Sequence, residues 1–140
     1  MFNWVASSLR ACAGPAAARS LSESFSPAPN NFSLTVVDIS GPPPPPNLNY
    51  LAPIYHHPSW TITNLGRHFG ITLDSAGNIY LAATTVWGAR QDPGQIKRID
   101  GVTGQISVLA TLPNSGPALG NINYDCVSET LYVSNHEDGR

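Results

Sequence analysis

Between residues 70 and 135 short apolar runs rich in β-branched residues alternate with clusters of Gly, Asp, Asn and Ser. That is the pattern of strands separated by tight turns. "GITLD", Gly70 to Asp74, reads as a short strand. "SAGN", Ser75 to Asn78, reads as a turn, and "IYLAATTV", Ile79 to Val86, as a second strand. "WGARQDPG" makes a longer loop, and "QIKRID" and "QISVLATL" are the third and fourth strands. Between them runs Asp100-Gly101-Val102-Thr103-Gly104, whose glycines can take the positive φ of a tight hairpin. The expected result is an all-β fold with one antiparallel four-stranded meander over residues 69–112. The alternation in "ISVLATL" is imperfect, which predicts burial on both faces of the fourth strand.

The pattern then begins again. "INYDCVSETLYVSN", Ile122 to Asn135, repeats "ITLDSAGNIYLAAT" with one extra turn residue. Asp74 and Asp125 stand about 50 positions apart, close to the ~40–50 residues of a four-stranded propeller blade. The phrases D-x-x-G-N-I-Y and I-x-R-I-D-x-x-T-G carry a family likeness. They lie in "FGITLDSAGNIYLA", "IKRIDGVTGQISVLATLP" and "LGNINYDCVSETLYVSNHEDGR". These segments resemble blades of the six-bladed β-propeller superfamily, which includes the regucalcin/gluconolactonase enzymes, NHL-repeat proteins and TolB-like propellers. The resemblance covers Thr61 to Arg140. It implies a partial β-propeller over 61–140, one blade plus the start of a second, with the remaining blades of a parent chain expected. An open array of this kind would leave unpaired edges and an exposed apolar inter-blade face, and so would self-associate.

Composition supports β structure. Charged residues are 11% of the chain, and 140 residues include 13 Pro and 12 Gly. Low charge with many turn-formers disfavours helix bundles, which need charged residues on their wet faces. A formal net charge of −2, with no basic stripe beyond Lys97-Arg98, excludes nucleic acid as an expected partner.

Ahead of the repeat, residues 1–29 read as a leader or disordered tail. Met1 to Ser22 has two Arg, many Ala and no acid before Glu23, and three readings stay open: an export signal, an organelle transit peptide or an uninformative tail. No run approaches the ~20 apolar residues of a membrane-spanning helix. Localisation is left open, with a secreted or cell-surface protein favoured.

Residues 30–60 read as an extended segment. "FSLTVVDIS" is a plausible short strand, and Asn31-Phe32-Ser33 is a glycosylation sequon in a secreted eukaryotic protein. The five prolines Pro42 to Pro46 impose polyproline II, read as a stiff spacer in preference to an SH3 or WW docking site, with a boundary near Pro46. Cys12 and Cys126 lack metal or redox spacing, and Cys126 reads as a small buried residue rather than half of a disulfide.

The gluconolactonase-type relatives hold a divalent cation with Glu, Asn and Asp, two of these ligands preceding a strand-opening Gly. The residues before Gly70 and Gly120 here are Phe69 and Leu119, which offer no oxygen to a hard cation. Asn121, one residue along, is the weak metal candidate. His56-His57 reads as a solvated pair, and His68 and His136 as loop polar groups. Asp74, Asp100 and Asp125, with Gly77, Asn78, Gly101 and Gly104, are assigned to structural turns, and Trp60 and Trp87 to packing. No G-x-S-x-G, Walker loop or H-E-x-x-H motif occurs. The expectation is a non-catalytic propeller segment of a larger protein, a scaffold for an unknown protein or small-molecule ligand, with no cofactor and no catalytic residue assigned. The alternative is a fragment of a metal-dependent propeller hydrolase or lactonase whose catalytic residues lie in other blades.

Overall fold

The computed structural model describes residues 19–22, 32–38, 53–85 and 93–137. Three short strands come first: β1 (Arg19–Ser22), β2 (Thr35–Asp38) and β3 (Ile54–Tyr55), paired antiparallel in the order β1-β2-β3. The "TVVD" of β2 falls within the expected strand, while β1 lies inside what the sequence reads as a leader. A single helical turn, α1 (Ile62–Leu65), follows. It starts at Thr61, whose hydroxyl accepts the Asn64 N–H, and stops at Gly66, which takes φ 76°.

Next comes the four-stranded antiparallel meander: β4 (His68–Leu73), β5 (Ile79–Ala83), β6 (Gln95–Ile99) and β7 (Ile106–Thr111), neighbours in that order. A second hairpin, β8 (Leu119–Asp125) with β9 (Thr130–Asn135), forms a separate two-stranded sheet. The fold is therefore all-β and antiparallel, with the meander where the turn chemistry placed it. No helix among the described residues is long and apolar enough to cross a membrane.

Covering of the meander on both faces explains the packing. Every residue of β5 is buried. Ile79 and Leu81 point to one face and join Leu34, Trp60, Leu65 and Ile99 in a core closed by residues 32–38 and 60–65. Tyr80 and Ala82 point to the other and join Ile96, Leu119 and Ile122 beneath the β8–β9 hairpin. Two-sided burial thus belongs to β5, not to the fourth strand. In β7, Ser107, Val108 and Leu109 are exposed, because β8 lies over β4 and β5 and does not reach the far edge.

The two hairpins share one register. Leu73 faces Ile79 as Tyr124 faces Leu131, and Ile71 faces Leu81 as Ile122 faces Val133. In each, the pairing slips just before these residues, between His68 and Gly70 and between Leu119 and Ile122. Counted back from these pairs, Gly70 precedes Ile71 as Asn121 precedes Ile122. The outward side of β8–β9 carries Asn121, Asn123, Tyr132 and Ser134, and only the tyrosine is large and apolar. An apolar open face is not what the hairpin presents.

The described flanks of the proline run also meet. Asp38 N–H donates to the Pro53 carbonyl at 2.9 Å, next to the antiparallel pairing of β2 with β3. The run itself, with Trp87, lies outside the described residues. Cys126 is disulfide-bonded, against the expectation, and the chain's other cysteine, Cys12, lies outside the described residues too.

Gly70 is where β4 meets β8. A Cβ there would lie 2.5 Å from the Ile122 nitrogen and 2.8 Å from the Gly120 carbonyl oxygen, both backbone atoms that cannot swing away. Gly77 is the useful contrast, with φ +82° and nothing within 4 Å of its Cβ position. Gly70→Ala should lower stability by about 2–3 kcal/mol as overpacking, and Gly77→Ala by only ~1 kcal/mol as backbone strain. Urea unfolding of the two variants checks the order; equal losses would mean that β4 and β8 do not approach this closely.

Candidate functional site

The turns at one end of the meander form a single hydrogen-bond network. Asp74 Oδ1 accepts the N–H groups of Ala76 and Asn78, both at 2.9 Å. Its Oδ2 accepts Asn78 Nδ2 at 2.7 Å and the Tyr80 hydroxyl at 2.8 Å. Asn78 then reaches across the sheet, where its Oδ1 accepts Arg98 Nη2 at 2.8 Å and the Gly101 N–H at 3.1 Å. Arg98 pairs with Asp100 at 3.5 Å, and Asp100 Oδ1 accepts Val102 N–H, Thr103 N–H and the Thr103 hydroxyl. The two recognisable phrases of the sequence, one around Asp74 and one around Asp100, are two halves of this network.

Electrostatics follow from it. Burial pushes the Asp74 carboxyl up, but the hydrogen bonds from Asn78, Tyr80 and Ala76 outweigh it and hold the group below its ordinary value. Burial, with the bond to Asp74 and its charge, raises the Tyr80 phenol. Thr103 and Val102 lower Asp100, and Ser128 and Val127 lower Asp125 in the same way. Asp74, Gly77, Asn78, Asp100, Gly101, Gly104 and Asp125 all lie in or beside these turns, and the glycines meet different demands there. Gly77 and Gly104 take positive φ, whereas Gly101 is needed because a Cβ there would strike the Gly77 carbonyl.

A cleft of ≈ 440 Å³ opens beside this network, between β2–β3 and the Asp100–Gly104 turn. Its floor is Trp60, buried, with Nε1 donating to the Gly104 carbonyl at 2.9 Å. Tyr55 packs edge-on against that indole at 5.6 Å between ring centroids. Val36, Leu73 and Ile79 complete an apolar lining. At the rim, Ile54 is 62% exposed, Tyr55 55% and Val102 92%. Asp38 and Asp100 supply the acidic groups of the wall.

The four histidines sit in different surroundings. His56 is exposed and stacks on Phe32 at 3.8 Å, whereas His57 is half-buried, its Nδ1 bonding Ser59 Oγ at 2.7 Å while its ring packs over Gly104. His68 is no loop group: it opens β4, 4% exposed, with Nε2 3.0 Å from Ser33 Oγ. Ser33 is also buried and donates its hydroxyl to the Gly66 carbonyl at 2.6 Å. Lys97, buried beside them, donates from Nζ to the carbonyls of Asn64 and Leu65 at 2.7 and 3.0 Å, closing the C-terminal end of α1. His136 is exposed in the turn after β9.

Sequence reasoning passed over Ser33 and Lys97. A signal existed for Lys97, which stands two residues before the buried Ile99 and so on an inward-facing strand position. At the positions compared with metal ligands, Phe69 is half exposed and Leu119 lies in the second core. Asn121 spends its Oδ1 on the Ile122 N–H at 3.0 Å. Among the described residues, no group of three His, Cys, Asp or Glu converges as a metal site would require.

Asn78 is the joint of the turn network, giving one hydrogen bond and taking two across strands. Asn78→Ala should cost about 2–3 kcal/mol, since it leaves Asp74, Arg98 and the Gly101 N–H short of partners, whereas Tyr80→Phe should cost ~1 kcal/mol. Equal costs by denaturant titration would mean that the two turns are not coupled through Asn78. Compared with protein-family models, curated proteins and solved structures, the chain matches none.

Proposed function

We propose that this chain is a propeller-type β-scaffold that acts by binding rather than by catalysis, and that its cleft receives an apolar side chain of a partner polypeptide. The propeller reading is supported by the shared register of the two hairpins, by the bulge repeated in each first strand, and by the way aliphatic pairs point backward in both. Ile71 and Leu81 face the layer before the meander, and Ile122 and Val133 face the meander itself.

One observation carries the binding site. Three strongly exposed apolar residues, Ile54, Tyr55 and Val102, surround an opening whose floor is a fixed indole. Exposed apolar side chains are ordinary when scattered; gathered at the mouth of a cleft they mark an interaction site. The indole needs no hydrogen bond from a ligand, since Gly104 already takes its N–H. What remains to be gained is burial of apolar area, on the order of 25 cal/mol per Å². The two aromatic rings of the lining, Tyr55 and Trp60, suit an aromatic or branched aliphatic side chain.

N-acetyl-tryptophan amide is a suitable probe. Titrated into the labelled protein, it should shift the amide resonances of Tyr55, Trp60 and Val102–Gly104 in a saturable way. Val102→Asp, at a fully solvated turn tip, should leave the fold intact and weaken the effect about tenfold, which is ~1.4 kcal/mol of binding. Shifts confined to other surfaces, or no saturable shift at all, would contradict the cleft as the binding site.

A further inference from the structure

The two outer strands of the meander are treated differently by the fold. β4 lies under β8, backbone close to backbone at Gly70. β7 has no neighbour on its far side among the described residues. An edge strand offers unpaired N–H and C=O groups to any extended chain, and proteins guard it with charged residues, proline or a bulge. β7 reads Ile-Ser-Val-Leu-Ala-Thr and carries neither charge nor proline. No Asp, Glu, Lys or Arg occurs anywhere between Asp100 and Asp125. A bulge is present: Lys97 pairs with Val108 but Ile96 with Ala110, which leaves Leu109 as the extra residue. The stretch before the bulge is regular and open, with Ser107 exposed and Val108 53% exposed.

We propose that this stretch is a pairing surface for a second copy of the chain, joined antiparallel about a two-fold axis at Ser107. The register fixes which groups are on offer. Asp100 N–H donates to the Gln105 carbonyl, and bonded pairs alternate along an antiparallel ladder. Ser107 therefore bonds inward to Arg98, while the N–H and C=O of Ile106 and Val108 point away from the sheet. Setting Ile106 opposite Val108 of the second copy, and Val108 opposite its Ile106, satisfies those outward groups in both. It also places apolar side chains against each other on one face and Ser107 against Ser107 on the other, with no like charges opposed.

β9 makes the contrast. Glu129 and Glu137 bracket that strand, so antiparallel self-pairing about its Val133 would set Glu129 against Glu137. At β7 both copies use the same edge, so the contact closes at two, and the bulge at Leu109 ends its length. None of the residues lining the cleft is on β7, so this contact and the cleft are tested apart.

Sedimentation velocity of the whole chain, with concentration raised in steps, reads the association. The expected result is a reversible shift from one copy to two. Val108→Lys puts a charge into each apolar pair and should weaken the dimer about tenfold. Tyr132→Lys, which alters the outward side of β8–β9 instead, should leave it unchanged. Ser107→Cys reads the register: with the residue opposite itself, mild oxidation should link two copies far faster than in Thr111→Cys, which lies beyond the bulge. A chain that stays monomeric at every concentration overturns the proposal. So does a dimer that survives Val108→Lys; loss with Tyr132→Lys alone would show that the outward faces associate instead. Equal cross-linking of the two cysteine variants overturns it as well. If Val108→Lys fails to fold, the cysteine pair still decides, because both substitutions are small and at exposed positions.

Discussion

Everything in this structure depends on β5 having neither face in water. All five of its residues are buried, two pointing into each core, so the strand requires a layer on each side. A lone four-stranded meander would leave Ile79 and Leu81, or Tyr80 and Ala82, against solvent. Burying a side chain of that kind is worth roughly 1.5–3 kcal/mol for the larger aliphatics. Residues 32–38 and 60–66 close one side and the β8–β9 hairpin the other, and neither layer is a sheet that would be stable alone.

The two layers are attached through different contacts. β8 comes against β4 backbone to backbone, which Gly70 permits and which the Tyr124 N–H completes by donating to Thr72 Oγ1 at 3.2 Å. Tyr80 and Tyr124 stack nearly parallel behind that contact, at 6.5 Å between centroids. The other layer is attached through Leu34, Trp60 and Leu65 and through the hydrogen bonds that Ser33 makes with Gly66 and His68. The cleft arises where this second attachment ends, at the turn side of the sheet. Both layers thus combine apolar packing with hydrogen bonds to the meander, from Tyr124 to Thr72 on one side and from Lys97 to the carbonyls of Asn64 and Leu65 on the other.

How much of this the sequence made legible follows from the range of each interaction. The meander and its turns were readable because Asp74, Asn78, Asp100 and Gly104 bond to residues within a few positions of themselves or to the adjacent strand. The second hairpin was readable for the same reason, through Asp125 with Val127 and Ser128. The covering layer was not, because Ser33 finds Gly66 and His68 more than thirty residues away and no local pattern announces it. The burial of β7 was misjudged because apolar spacing does not say which strand ends up at an edge. His68 looked like a loop residue only because its strand begins one pairing earlier than the apolar run "GITL".

The most direct measurement is native-state hydrogen exchange at neutral pH, resolved by residue across the meander. With both faces of β5 covered by its own chain, the amides of residues 80–82 should exchange only through global unfolding. Their opening free energy should equal the stability measured by denaturant and fall in parallel with it in destabilised variants. Exchange of those amides through a local opening well below the global stability would show that one face of β5 is not covered, and would contradict the account.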